Sequence, residues 1–331
     1  MLVSVVVPTY QGCDSIGRTL DALARQTISP AEYEVIVSID GSTDGTRELL
    51  TTMSVPYELH VLDQAKNGGR ATACNRGIRQ ASGEIVVILD DDMEPVPELL
   101  ARHARRHADR SRRGVIGAVP VACDPLSPAA VRYIGTKFDR HLRKLASPGV
   151  RIHCRDFYSG NFSVRRDVLL EAGLFDESFT VYGNEDVELG LRLANQGVEL
   201  VYAPEAIAKQ HYDKSLAGLA ADEYAKGRSA VLLATKHPEC FPFLKLATYR
   251  NGSVKWRALR KALLLVTRIL PLTRTLVVRF LHRLEASQSH VLERYLPLAL
   301  DYCFWAGAST ALREKGIAAG QLNALFLHQQ N

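Results

Sequence analysis

Over its front part, the chain alternates short apolar runs with segments of helical period. Residues 3–7, 34–39, 57–62, 85–89 and 115–119 read as strands. In 85–89 the β-branched residues stand in series rather than alternating with polar ones, as in a strand buried on both faces. Between them, a helix opens at Asp14 or Ser15 and runs to about Arg25. A short one follows Ser42/Thr43 and ends near Thr52, and others cover 68–81 and 97–108. Ser82-Gly83 closes the third of these. Strand–helix alternation with short turns predicts an α/β fold, a mostly parallel sheet covered by helices on both faces.

After Val119 the pattern loosens. Residues 120–157 contain prolines and a basic amphipathic stretch, Lys137, Arg140, Arg143 and Lys144. An acceptor-binding insertion and a surface helix with a solvated basic face both fit it. Order returns at 159–164, followed by helices at 166–172 and 185–196, the latter stopped by Gly197, and a strand at 199–202. Beyond His237 the composition shifts to Leu, Val, Ala and Arg with few strand or turn signals. The expected division is therefore 1–236 for a catalytic domain and 237–331 for a basic α-helical C-terminal region. No apolar run there reaches the roughly 18 uncharged residues of a membrane span.

Charge sharpens this division. The 331 residues carry a net +5, but 237–331 hold 13 Lys+Arg against 5 Asp+Glu, a net +8, leaving −3 for 1–236. A basic tail behind a mildly acidic front suits an anionic surface. Leu276, Val277, Phe280, Leu281 and Leu284 share one side of a helix, with Arg279 pointing away and Arg283 at the edge. Arg260, Lys261, Arg268 and Arg274 add charge nearby. Peripheral contact with an anionic membrane and packing on the catalytic domain with solvated arginines both fit this pattern. The six cysteines form no C-x-x-C pair, and the start of the chain shows no basic leader or cleavage site. Both point to a reducing, cytoplasmic setting, at the inner face of the membrane if the tail binds there.

The chemistry gathers where strands end. Val86-Val87-Ile88-Leu89 runs into Asp90, Asp91 and Asp92. Three adjacent carboxylates would repel one another in a core. At a strand tip they suit a hard cation with oxygen ligands and a phosphate, at the sheet edge where α/β proteins bind ligands. A solvated turn capping the next helix is the plainer reading. Asp40, at the tip of 34–39 before Gly41, suits a base or ribose donor, or an Asx turn. Glu185 and Asp186 follow Tyr182-Gly183-Asn184 and open a helix. There they complement its dipole, or a carboxylate accepts a proton from an attacking hydroxyl. Glu188 and Arg192 are read as a surface i,i+4 pair. His211, after the last strand, is a structural residue or an imidazole ligand of the kind manganese accepts.

Five segments in order, Pro8-Thr9-Tyr10, Asp40 to Thr46, Leu89 to Asp92, Gly160-Asn161-Phe162-Ser163 and Glu185-Asp186-x-x-Leu189-x-x-Arg192, resemble family 2 glycosyltransferases of the GT-A fold. The resemblance covers about residues 1–212. It implies a Rossmann-like GT-A sheet and an inverting hexosyl transfer from a nucleotide sugar, a UDP-sugar first among candidates, to a carbohydrate or lipid-linked acceptor. Polysaccharide, glycolipid or other glycoconjugate synthesis is the implied setting, with no nucleic acid involved.

Carried over by position, the resemblance makes Pro8, Thr9, Tyr10 and Asp40 contacts of the nucleotide. Asp90 and Asp92 become the ends of the D-x-D motif holding Mn2+ or Mg2+, with Asp91 near the ribose. Gly160 and Asn161 line the donor side. Asp186 becomes the catalytic base, with Glu185 near acceptor or sugar hydroxyls, and His211 a late metal ligand, as in galactosyltransferase-type domains. Many relatives have two acids where this chain has Ile39-Asp40, so only the second is carried over. Two rivals are a nucleotidyltransferase acting on sugar phosphates and a non-catalytic nucleotide-sugar-binding module. The first expects a Gly-rich basic loop after strand one, yet no Lys or Arg precedes Arg18. Retention of Asp90, Asp92 and Asp186 together speaks against the second.

Overall fold

The computed structural model describes residues 2–270, 272–287 and 291–316. The chain divides into two compact units. The first takes the described residues up to Pro125 together with Val131–Thr180 and Glu185–Asp213; the second takes Leu126–Ala130, Val181–Asn184 and those from Lys214 onward. The last helix before 237 thus groups with the helices that follow it, whereas the sequence-based division lay at 236/237.

In the first unit the predicted elements become β1 (Val3–Thr9), α1 (Ile16–Leu23), β2 (Tyr33–Ile39), α2 (Thr46–Thr52), β3 (Glu58–Leu62), α3 (Arg70–Gln80) and β4 (Ile85–Leu89). There follow β5 (Met93–Pro95), α4 (Leu99–Arg106), β6 (Arg113–Ala118), α5 (Ala129–Leu145), β7 (Asn161–Arg165), α6 (Arg166–Glu171), α7 (Glu185–Asn195) and β8 (Glu199–Gln210). The strands form one sheet in the order β3-β2-β1-β4-β7-β6-β8-β5.

Successive side chains on a strand point to opposite faces, so each apolar run feeds two cores. Val5 and Val7 of β1, Val35 and Val37 of β2 and Val87 of β4 pack with Ile16 and Leu20 of α1 and Leu99 of α4. Val6, Ile36, Val86 and Ile88 turn the other way, toward Cys74 and Ile78 of α3 and Leu189 and Leu193 of α7. Each fully buried aliphatic side chain contributes roughly 2 kcal/mol, which places these runs mid-sheet. Helix α3 lies close enough to β1 that a Cβ on Gly77 would collide with Val6.

The sheet is mostly parallel, as expected, with two departures. β7 runs antiparallel between β4 and β6, so β4 has a parallel neighbour only in β1. The short β5, unpredicted, pairs antiparallel with β8. β8 itself outruns its predicted end. Its pairing with β6 passes from Gly117↔Ala203 to Ala118↔Ile207 across a bulge. Pro204 falls in that bulge, where the missing N–H costs no ladder bond. The loose region holds α5, whose Lys137, Arg140, Arg143 and Lys144 are exposed.

In the second unit, α8 (Leu216–Lys236), α9 (Val254–Ile269), α10 (Thr273–Ala286) and α11 (Val291–Glu314) pack on one another. The α8–α11 crossing is backbone to backbone. A Cβ on Gly227 would collide with the Phe304 carbonyl, and one on Gly307 with that of Tyr224. Two arginines counted as tail surface charge turn inward. Arg260 is buried beside Tyr249 and Trp305 and bonds Asp301 at 3.0 Å. Arg274 stacks on Tyr224 at 4.1 Å. Of the predicted stripe on α10, Leu281 is buried while Leu276 and Phe280 are exposed. Among the described residues no helix is long and apolar enough to cross a membrane.

Candidate active site

The acidic triplet sits between β4 and β5, and its turn is pinned from behind. Thr19 Oγ1 of α1 donates to the carbonyls of Asp91 and Met93 at 2.8 and 2.7 Å. Each carboxylate then has its own partner. Asp90 Oδ1 accepts from Arg70 Nη2 at 2.6 Å. Asp91 Oδ2 accepts from Thr9 Oγ1 at 2.5 Å. Asp92 Oδ2 accepts from Gln210 Nε2 at 2.9 Å, and its carbonyl accepts from His211 N. Burial pushes the Asp91 carboxyl up to about 6; the Thr9 hydroxyl pulls it down and the neighbouring Asp90 raises it further. A Cβ on Gly160 would run into the Asp90 carboxylate, and one on Gly12 into Thr9 and Asp91. Both positions need glycine because the acids lie against bare backbone.

Arg70, unremarked in the sequence reading, ties the triplet to the start of α7. Its Nη1 donates to Ser159 Oγ at 2.9 Å and stands 4.0 Å from Glu185 Oε1, while Nη2 holds Asp90. Burial opposes the guanidinium charge, but Asp90 first, and Glu185 among others, more than offset this and raise its pKa. A cation in the first turn of a helix runs against the helix dipole, so Arg70 in Gly68-Gly69-Arg70 needs facing acids. That anomaly was the available signal.

Asp40 is 3% exposed. Its Oδ1 accepts from Gly68 N at 2.7 Å and Gln64 Nε2 at 2.8 Å, and its Oδ2 from Gly69 N at 2.9 Å. A carboxylate has about four acceptor positions; Asp40 uses two to fix the α3 N-terminus and a third on Gln64. Pro8 and Thr9 are buried in β1, and Tyr10 just beyond them is exposed. The following loop is laced to the Asp40 turn through Gln11 N to Ser42 Oγ and Cys13 N to Asp44 Oδ2, both 2.9 Å.

At the start of α7, Glu185 is buried and Asp186 half-buried. Asp186 Oδ1 accepts from Val187 N at 2.7 Å. Glu188 and Arg192 form no surface pair. Glu188 is 2% exposed, and Arg192 also donates to the carbonyls of Ala172 and Leu174, clamping the end of α6. His211 turns Nε2 to Glu94 Oε2 at 2.6 Å, a bond that holds the Glu94 carboxyl below its usual value.

Asn161 reaches this edge through its backbone, paired with Leu89, but its side chain turns away. The Asn161 side chain is fully buried; its Nδ2 donates to the carbonyls of Ala118 and Ala206, and its Oδ1 meets His103 Nε2 at 2.9 Å. Ser163 Oγ lies 2.7 Å from His103 Nδ1 and 2.8 Å from His107 Nε2. Burial holds both histidines at about 4; for His107 the neighbouring His103 adds to the drop. Asn161 therefore stitches β6, β7, β8 and α4 together beneath the site.

Against this geometry the comparisons fall into place. The family model "Glycosyl transferase family 2" matches residues 4–173. A validoxylamine A glucosyltransferase of Streptomyces hygroscopicus subsp. limoneus is 31% identical over 233 residues, 62% of this chain and 50% of that protein. Glycosyltransferase AglE of Haloferax volcanii is 30% identical over 206 residues, 62% of this chain and 65% of its own. The chain thus spans about half to two thirds of these relatives. In fold it is similar to the mannosyltransferase PcManGT of Pyrobaculum calidifontis, solved with GDP-Man and Mn2+. The TM-score there is 0.57 at 22% identity, covering 95% of this chain and 87% of that one. With the strand-tip acids and the GT-A-like sheet in place, a family match over more than half of the residues leads to one conclusion: the chain belongs to glycosyl transferase family 2.

Proposed function

We propose that the protein is a metal-dependent, inverting glycosyltransferase that moves a hexosyl group from a nucleotide-diphosphate sugar to an acceptor hydroxyl. The observation that carries this reading is the sharing of Arg70 by Asp90 at 2.6 Å and Glu185 at 4.0 Å. One guanidinium draws the β4 tip and the α7 start together, giving a donor side and an acceptor side at one sheet edge. The glucosyltransferase relative supports hexosyl transfer. A UDP-sugar donor and a carbohydrate or lipid-linked acceptor are the partners we assign.

The chain's own groups divide the work. Thr9, Tyr10 and the backbone beside Asp40 line the nucleotide pocket, with Asp91 toward the ribose. Asp92, Asp90 and His211, its ring steadied by Glu94, would hold Mn2+ or Mg2+. Hard carboxylate oxygens at a strand tip fit such an ion. Among the described residues no cluster of three or more His, Cys, Asp or Glu stands ready for a metal, so diphosphate oxygens and water would complete the shell. When bound, the ion supplies neutralisation of the departing diphosphate. Asp186, at the helix start, takes the proton of the acceptor hydroxyl as its oxygen attacks the anomeric carbon from the face opposite the leaving nucleotide. A single displacement inverts configuration, so an α-linked donor gives a β-linked product. Arg70 sets one guanidinium against both Asp90 and Glu185.

A panel of UDP-, GDP- and dTDP-sugars, assayed for hydrolysis with and without Mn2+, tests the reading. Mn2+-dependent cleavage of at least one donor supports it. Tight donor binding without turnover, even with acceptors supplied, would leave a binding module instead.

A further inference from the structure

In the second unit, helix α9 is turned inside out relative to an ordinary surface helix. Its inner side carries Trp256 and Arg260, both bonded to Asp301. Its outer side is apolar: Val254, Ala258, Ala262, Leu265 and Ile269 recur at i, i+4, i+8, i+11 and i+15, one stripe along the helix. All five are exposed, Val254 by 71% and Ile269 by 85%. Beside the stripe runs a row of exposed cations, Arg257, Lys261 and Arg268. Helix α10 with its N-cap Leu272 repeats the arrangement, Leu272, Leu276 and Phe280 standing at four-residue spacing beside exposed Arg279 and Arg283. Between Glu239 and Glu285 the sequence holds ten Lys+Arg and no acid.

We propose that the outer faces of α9 and α10 dock on an anionic lipid surface, with the apolar stripes in the interfacial layer and the arginine and lysine rows among the headgroups. The occupant must offer hydrocarbon and negative charge in adjacent strips, which an anionic bilayer surface does. A second copy of the chain fits badly. An isologous contact sets the same patch against itself, and here that would oppose two cationic rows with no acid between them. At 16 residues α9 is shorter than a span, so it lies on the bilayer rather than across it. The inference stands on the second unit alone and is independent of the activity proposed above.

Co-sedimentation of the full chain with phosphatidylcholine vesicles, with and without phosphatidylglycerol, tests it. Binding is expected only with the anionic lipid and should fall as salt rises. Arg257→Gln/Lys261→Gln/Arg268→Gln should weaken partitioning on the order of 100-fold, from about 1 kcal/mol per cation. Leu265→Gln/Ile269→Gln should remove binding while circular dichroism and Tm stay as in the parent, because both side chains already face water. No binding to anionic vesicles at low salt, or equal binding by both variants, overturns the proposal. So does a dimer by analytical ultracentrifugation that the Leu265/Ile269 variant dissolves, since the face would then be a self-contact.

Discussion

The two units bury and expose opposite chemistry. In the sheet unit the aliphatic runs are hidden, and what departs from the norm is buried acid: Asp40 and Glu185 are 3% and 4% exposed. The helical unit buries one acid, Glu223, but hides a cation as well, Arg260, and its exposed oddity is aliphatic, Leu265 and Ile269. Burying a charge is costly unless it is paired, so each buried ion points to what holds it. Asp40 is held by the amides of Gly68 and Gly69, Glu185 faces Arg70, and Arg260 has Asp301. Exposed aliphatic surface has no such internal partner, and an ordered stripe of it points outward. Buried acids thus mark the candidate site in one unit, and exposed aliphatic side chains a candidate docking face in the other.

The comparison breaks first at Asp186. If the acids of the sheet unit are there for chemistry, Asp186→Asn should keep the fold and donor affinity yet lower turnover by at least about 100-fold, the scale of general-base catalysis. Steady-state kinetics with the true acceptor checks this, and near-normal kcat would return Asp186 to the role of a helix-start acid. Next comes Arg70. Arg70→Ala removes the guanidinium that Asp90 bonds and that stands 4.0 Å from Glu185, and should destabilise the protein by about 3 kcal/mol, read by chemical denaturation. Arg70→Lys should recover only part, because an ammonium cannot fork between Asp90 and Ser159. In the helical unit, Gly227→Val should cost a similar or slightly smaller amount, about 2–3 kcal/mol, as α8 is driven off the Phe304 carbonyl while donor binding persists.

A pH effect belongs to the histidines beneath the site. Their native pKa of about 4 lies below the ordinary 6.5. The unfolded chain therefore takes up protons first as the pH falls, and the stability they contribute is present above about 6.5 and lost toward 4. Tm should decline over that window, and His103→Gln should flatten the decline.

Much of this was legible before folding. The strand runs announce the sheet because β-branched residues in series suit only a doubly covered strand, and the acids at 90–92 stand out because like charges avoid cores. Arg70 was not legible as a hub, since its partners lie 20 and 115 residues away in sequence and meet it only once β4 and α7 reach the same edge. Asn161 reads as a ligand contact in its motif, yet β7 points it inward, where His103 completes it. Glu188 and Arg192 have surface-pair spacing but face α6. For α9, periodicity reveals two sides and cannot say which one turns in; Arg260 between two aromatic rings decides it. β5 escaped notice because three residues carry no period at all.

The central claim is that the strand-tip acids bind a metal together with a nucleotide diphosphate. Calorimetric titration of a cleaved or hydrolysed donor's nucleoside diphosphate into wild type and Asp92→Ala, each with and without Mn2+, tests it most directly. The account predicts that Mn2+ tightens binding to wild type and leaves the variant unchanged at the weak, metal-free level. If Mn2+ strengthens binding to Asp92→Ala as much as to wild type, the acids at the tip of β4 are a turn and not a metal site.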